Sequence, residues 1–201
     1  MKIFKYTQTE LDYLKKKDKK LGAAIDRIGI IKREVTPDLF TALIKSIVGQ
    51  QISSKAADTV WCRILELLKE ITPNAISLVS SEDIQKCGLS MRKVNYIKGI
   101  SEAVTCGALD LNKLYELSDD EVIKQLSSLN GVGKWTAEML LIFSMERPNV
   151  VSFGDLAIQR GMMRLYGLNE LSKDKFEAYR KRYSPYGSVA SLYFWAISAE
   201  S

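Results

Sequence analysis

The chain has 201 residues, 46% hydrophobic and 26% charged, a balance that can build a core and argues against disorder. It contains no histidine, which excludes Ser-His-Asp and Cys-His nucleophile systems and histidine-based zinc sites. Lysine and arginine outnumber acids by 29 to 24, a net charge of +5 that suits a polyanion partner without requiring one.

The N-terminal stretch is polar almost at once and has no signal-peptide hydrophobic region, so a cytoplasmic location is expected. Helical periods then dominate. Leu11, Leu14, Leu21, Ile25 and Ile28 make one face of the first long segment apolar, and Lys15, Lys16, Lys17, Lys19 and Lys20 mark its solvated side. Thr36-Pro37-Asp38 reads as an N-cap, a proline at the first helical position and a first-turn acid. The helix it opens stops near Gly49, and another restarts after Ser53. Thr72-Pro73, Ser80 and Ser90 announce three further starts, and Ser118 with Glu121 forms a capping box. Cys62, Cys87 and Cys106 lack C-x-x-C spacing, which excludes a zinc ribbon or dithiol motif and fits a reducing compartment. The stretch from Tyr183 to Ala199 carries a proline, a glycine and four serines, so it suits a buried helix better than a membrane span. The expected fold class is all-α, with eight to ten short helices.

Leu129-Asn130-Gly131-Val132-Gly133-Lys134 lies between two helical segments. Two glycines one residue apart allow a sharp turn with unobstructed N–H groups, and the following helix adds its positive dipole end. Such a turn can grip a phosphate, with Lys134 adding charge; it can also be no more than a tight connection. The helix that follows, from Trp135, is apolar on nearly every face and belongs in the interior. Asp155 then stands after Gly154 where an N-cap belongs. A carboxylate held there can cap a helix or stabilise a developing cation.

LNGVGKWTAEMLLIF, followed after about twenty residues by VVSFGDLAIQRG, resembles the helix–hairpin–helix DNA glycosylase superfamily, and within it the 3-methyladenine DNA glycosylase II group. FTALIKSIVGQQISSKAA, GLSMRKVNYI and YSPYGSVASLYFWA resemble further segments of that family, so the likeness runs from about Asp12 to Ala196. It implies a two-lobed fold with a DNA cleft between the lobes, one of about residues 36–148 and the other of 1–35 with 149–201. It implies that Gly131, Val132, Gly133 and Lys134 bind backbone phosphates and that the carbonyls of Ser127, Leu129 and Val132 hold a monovalent cation, Na+ or K+. It also implies that Asp155 is catalytic, that Gln51 or Ile52 enters the duplex gap (Gln51 as the wedge, Ile52 for packing), and that Trp135, Tyr186 and Phe153 wall the base pocket. Trp61, Phe194 and Trp195 are expected to pack in the core instead.

Lyase members of the family carry a lysine where this chain has Trp135, and iron–sulfur members carry a four-cysteine cluster, whereas no cysteine follows Cys106 here. The resemblance therefore implies a monofunctional, monomeric enzyme without an iron–sulfur cluster, acting on double-stranded DNA that contains damaged bases. An alkylated purine is already cationic and leaves without a proton donor, which agrees with the absence of histidine. Excision of uracil, mismatched thymine or oxidised bases, and a catalytically silent lesion sensor, are the alternatives. Two positions depart from the family: Asn130 replaces a common hairpin proline, and Gly187 replaces an arginine, which is expected to loosen a support near the pocket.

Overall fold

The computed structural model describes residues 2–200. In chain order it contains β1 (Lys2–Ile3), α1 (Gln8–Lys17), α2 (Lys19–Ile28), β2 (Glu34–Val35), α3 (Leu39–Gly49), α4 (Ser54–Leu68), α5 (Pro73–Leu78), α6 (Ser81–Lys86) and α7 (Met91–Thr105). A 3-10 turn (Lys113–Glu116) precedes α8 (Asp119–Ser127), α9 (Lys134–Phe143), α10 (Leu156–Tyr166), α11 (Lys173–Tyr183) and α12 (Gly187–Ala199). The all-α expectation holds, with more helices than the eight to ten expected. The only strands among the described residues are β1 and β2, paired antiparallel as Lys2 with Val35 and Ile3 with Glu34. Among the described residues no helix is long and apolar enough to cross a membrane.

The chain separates into two compact units, one from Thr36 to Leu140 and the other made by the chain up to Val35 and from Leu141 on. In the first, α3 packs on α4 and α7, and α5 and α6 on α7. Its core is aliphatic: Leu43, Ile44, Ile47, Ile76, Val94, Leu114, Val122 and Leu126 are closed to solvent. In the second, α12 packs on α2, α10 and α11. Tyr183, Phe176, Tyr193 and Phe194 are fully buried there. Burying each such ring contributes roughly 2–3 kcal/mol before the entropy of ordering is subtracted.

Most starts fall where the caps predict them. Thr72, Ser80, Ser90, Ser118 and Asp155 are N-caps whose side chains accept from the first-turn amides. At α3 the cap is Asp38, which accepts from Thr41 N at 2.7 Å, rather than Thr36; Pro37 lies before the helix. The first amphipathic segment is two helices, not one. Asp18 leaves helical geometry (φ −144°, ψ 108°) and its Oδ1 accepts from Lys20 N and Leu21 N at 3.0 Å. Helix α11 has no legible period in the sequence, because it is charged all round and buries only Phe176 and Tyr183.

Asp18 is only 5% exposed and joins three helices. Its Oδ2 accepts from Tyr166 Oη of α10 at 2.8 Å and from Arg182 Nη1 of α11 at 2.7 Å, and the Tyr166 and Tyr183 hydroxyls bond each other. Burial alone would raise the Asp18 pKa, but the Leu21 amide, Arg182 and Tyr166 together hold it below the usual carboxylate value. Its stabilising effect is therefore complete above the unfolded pKa of about 3.9 and is lost as pH falls through the lower folded value. Asp18→Ala should reduce the unfolding free energy at neutral pH by about 2–3 kcal/mol in urea titrations. Below pH 4 the variant's stability should fall less steeply with acid than that of the wild type.

Candidate functional site

The loop between α8 and α9 is a chain of tight turns. Leu129 N donates to Leu126 O at 3.2 Å, Val132 N to Leu129 O at 3.1 Å, and Ala137 N to Gly133 O at 3.0 Å. Val132 is 4% exposed and anchors the turn, while Gly133 and Lys134 face solvent. The two glycines serve different purposes. Gly131 has φ +86°, and a Cβ there would lie 2.3 Å from the Tyr96 ring. Gly133 has no positive φ and a Cβ would meet nothing within 4 Å, so what its bareness preserves is open space over the backbone. Lys134 Nζ lies 3.9 Å from Oε1 of Glu138, a buried carboxylate one turn into α9 that no sequence motif marks.

The turn after α3 is built onto this hairpin. Gln50 Nε2 donates to Gly131 O at 2.8 Å, and Lys93 Nζ of α7 donates to Val48 O at 2.8 Å and Gln50 O at 2.6 Å. The ammonium thus satisfies carbonyls that the end of α3 leaves without helical partners, at the end of the helix where a cation is favoured. Burial lowers the Lys93 pKa. Gln51, next in the chain, has φ +58°, a left-handed conformation costing a non-glycine residue of order 1 kcal/mol, and it is exposed. Gln50, Lys93 and Tyr96 are site residues that the sequence does not announce, because nothing local marks a side chain whose partner is distant backbone. Ile52, expected to pack, is 41% exposed instead. It borders a hollow of about 270 Å³ shared with Lys45, Asp58 and Trp61. Trp61 is only half-buried there, because α4 offers it an edge of the unit rather than its centre. Trp135, second residue of α9, is 47% exposed.

In the other unit, Asp155 caps α10 and is 7% exposed. Its Oδ1 accepts from Ala157 N at 2.9 Å and Ile158 N at 3.0 Å, which fixes the carboxylate on the positive end of the helix. The segment leading to it lies along the first turns of α12. Ser188 N donates to Pro148 O at 2.9 Å, Val150 N to Ser188 Oγ at 3.0 Å, and Ser191 Oγ to Val150 O at 3.0 Å. Gly187 N donates to Asn149 Oδ1 at 3.3 Å, and Asn149 Nδ2 to Ser184 Oγ at 3.0 Å. A Cβ on Gly187 would stand 2.8 Å from Val151 Cγ2 and 2.9 Å from Asn149 Oδ1. The expectation that Gly187 loosens this region is therefore reversed: its bareness lets the strap close onto the helix. Tyr186 is half-buried, edge-on to Tyr13 at 5.1 Å between ring centroids, and Phe153 is half-buried against Phe176 at 5.1 Å. Phe194 lies in the core as expected, whereas Trp195 is half-buried against Phe143.

A sequence profile described as "HhH-GPD superfamily base excision DNA repair protein" matches residues 44–185. The chain is 32% identical over 164 residues to the DNA-3-methyladenine glycosylase 1 of Schizosaccharomyces pombe, covering 79% of this chain and 72% of that protein. The crystal structure of a DNA-3-methyladenine glycosidase from Bacillus halodurans superposes with a TM-score of 0.88 at 35% identity, covering 99% of this chain and 93% of that one. The solved structure of the Schizosaccharomyces pombe 3-methyladenine DNA glycosylase in complex with abasic DNA gives a TM-score of 0.81 at 28% identity, with 93% of this chain and 95% of that one covered. This chain belongs to the HhH-GPD superfamily of base excision DNA repair proteins.

The two hairpin glycines separate cleanly in mutants. Gly131→Ala should lower the melting temperature through its positive φ and the Tyr96 collision, a loss of at least about 1–2 kcal/mol. Gly133→Ala should melt with the wild type and still weaken duplex binding, by fluorescence anisotropy, because the new methyl occupies the open approach to the backbone. For the strap, Gly187→Ala should destabilise the protein by about 1–3 kcal/mol in calorimetry.

Proposed function

We propose that the chain is a monofunctional DNA glycosylase that flips alkylated purines such as 3-methyladenine out of duplex DNA and hydrolyses their N-glycosidic bond. The observation that carries this reading is the Asp155 carboxylate, buried and held by two amides at the N-terminus of α10, in a chain of the HhH-GPD superfamily. The names of the similar proteins, DNA-3-methyladenine glycosylases in a yeast and a bacterium, support the substrate class, and the abasic-DNA complex of one supports the duplex partner.

The roles proposed for the residues are those that the family resemblance implies. Amides of Gly131, Gly133 and Lys134 take backbone phosphates, while Val132, whose N–H is already given to Leu129 O, anchors the turn that presents them, and Gln51 fills the place that the flipped nucleotide leaves. Flipping costs a few kcal/mol, least for a damaged base. Trp135, Tyr186 and Phe153 offer ring faces to the cationic base, each worth about 0.5–2 kcal/mol. As the N-glycosidic bond breaks, its electron pair goes to the base and neutralises it. Positive charge builds on the sugar, where Asp155 stabilises it; water then adds to the sugar carbon and gives up a proton. No general acid is required of a chain without histidine. By the same resemblance, the neutral carbonyl oxygens of Ser127, Leu129 and Val132 would hold a Na+ or K+ ion; Gly131 O is occupied by Gln50, and Leu129 O also accepts the Val132 N–H. Such an ion would supply only local charge and rigidity to the hairpin. With Trp135 where lyase members carry lysine, strand cleavage is not part of the reaction.

Base release from methylated duplex under single-turnover conditions tests this. The wild type should liberate 3-methyladenine, with strand breaks only after alkali. Asp155→Asn, which retains a capping side chain, should keep the fold and lose at least about 10²-fold in rate. Breaks without alkali would make the enzyme a lyase. Tight abasic-site binding with no base released would make it a sensor.

A further inference from the structure

The net positive charge of the chain comes from one of its units. Thr36–Leu140, which holds the hairpin, carries 11 lysines and arginines against 13 acids; the remainder carries 18 against 11. A duplex is bound largely through neutralised phosphates. The hairpin unit's net charge of −2 works against that, so the long-range attraction has to come from the unit with +7.

Ten of those 18 basic residues stand on two stretches, Lys15–Lys20 and Lys173–Arg182. Helices α1 and α11 pack together, and the two stretches are laced into one surface. Lys20 Nζ lies 5.9 Å from the centroid of the Tyr166 ring, Tyr166 stacks on Tyr179 at 4.0 Å, and the Arg182 guanidinium lies 5.0 Å over Tyr179. At the other end of this surface, Lys17 Nζ lies 5.4 Å over Tyr13, whose ring meets Tyr186 edge-on. The surface therefore reaches the aromatic assigned above to the base pocket.

Not all of this charge is uncommitted. Arg182 is neutralised by Asp18, Lys15 pairs with Asp26, and Arg180 pairs with Glu177. Lys16, Lys17, Lys19 and Lys20 are exposed and make no ion pair among the described residues. Four unpaired like charges within five positions repel one another, a cost that a polyanion would turn into attraction.

We infer that the surface formed by the α1–α2 junction and α11 is a second phosphate-binding site for duplex DNA, separate from the hairpin, with Lys16, Lys17, Lys19 and Lys20 binding the phosphates. This rests on the glycosylase reading only in taking DNA as the partner. Arg182 and Asp18 form its frame.

The test is the salt dependence of duplex affinity for K16Q/K17Q/K19Q/K20Q, with the four lysine-to-arginine changes as the charge-preserving control. Glutamine is as good a helix former as lysine, so both variants should melt with the wild type. Every phosphate that the protein no longer neutralises reduces the slope of log K against log salt by about 0.9. The glutamine variant should lose between about 1.8 and 3.6 units of slope on an abasic-site duplex, for two to four phosphates, and the arginine variant none. Its single-turnover base-release rate at saturating enzyme and low salt should match the wild type. An unchanged slope with base release intact would overturn the second site and leave the enzyme assignment standing. A wild type that releases no base, with the slope change still present, would overturn the enzyme assignment and leave the surface.

Discussion

Where two stretches of backbone meet with no side chain between them, neither can shift without the other, and this fold uses such contacts at the places that matter. A Cβ on Gly161 of α10 would lie 2.1 Å from the Phe194 carbonyl of α12, so these two helices cross as closely as backbones can. Gly187 brings the strap before Asp155 onto the same helix, and Gly131 lets the hairpin close over Tyr96. Because Asp155 caps α10 and α12 begins at Gly187, the position of the carboxylate is inherited from a helix pair rather than from a flexible loop. In the proposed reaction a carboxylate fixed in this way would not have to reorganise to stabilise a developing cation.

Polar satisfaction does the rest. Ser188 and Ser191 supply hydroxyls to the strap between Arg147 and Val150, where a larger apolar residue would leave buried amides and carbonyls unmet. In the hairpin unit, Lys93 and Gln50 take the same part, one satisfying the end of α3, the other bonding the Gly131 carbonyl. The exposed Gln51 is left strained on a base that cannot relax. Strain of this kind persists only where neighbouring contacts over-determine it.

Particular residues show how far the sequence can be read. Caps at Ser53, Thr72, Ser90, Ser118 and Asp155 are local devices whose partners lie two or three residues on, so spacing alone reveals them. Asp18 is the same device, yet the apolar period continues across it and conceals the break. Lys93 and Asn149 are invisible for a different reason: each acquires its meaning from what the chain folds against it, and nothing adjacent in sequence marks it. Gly187 is visible but misleading, since a glycine replacing a long side chain reads as a loss until the strap is seen resting in the space it leaves.

The sequence by itself determined the all-helical class, most helix starts, the hairpin with its two glycines, and the capping aspartate. All of these depend on periods and hydrogen bonds only a few residues long. Tertiary structure decided that Gly131 is needed for its conformation and Gly133 for its openness. It also decided that the Gln51 turn and the hairpin share one frame, and that two lysine-rich stretches about 150 residues apart form one surface. Those relations are set by packing between distant segments, which no local pattern encodes.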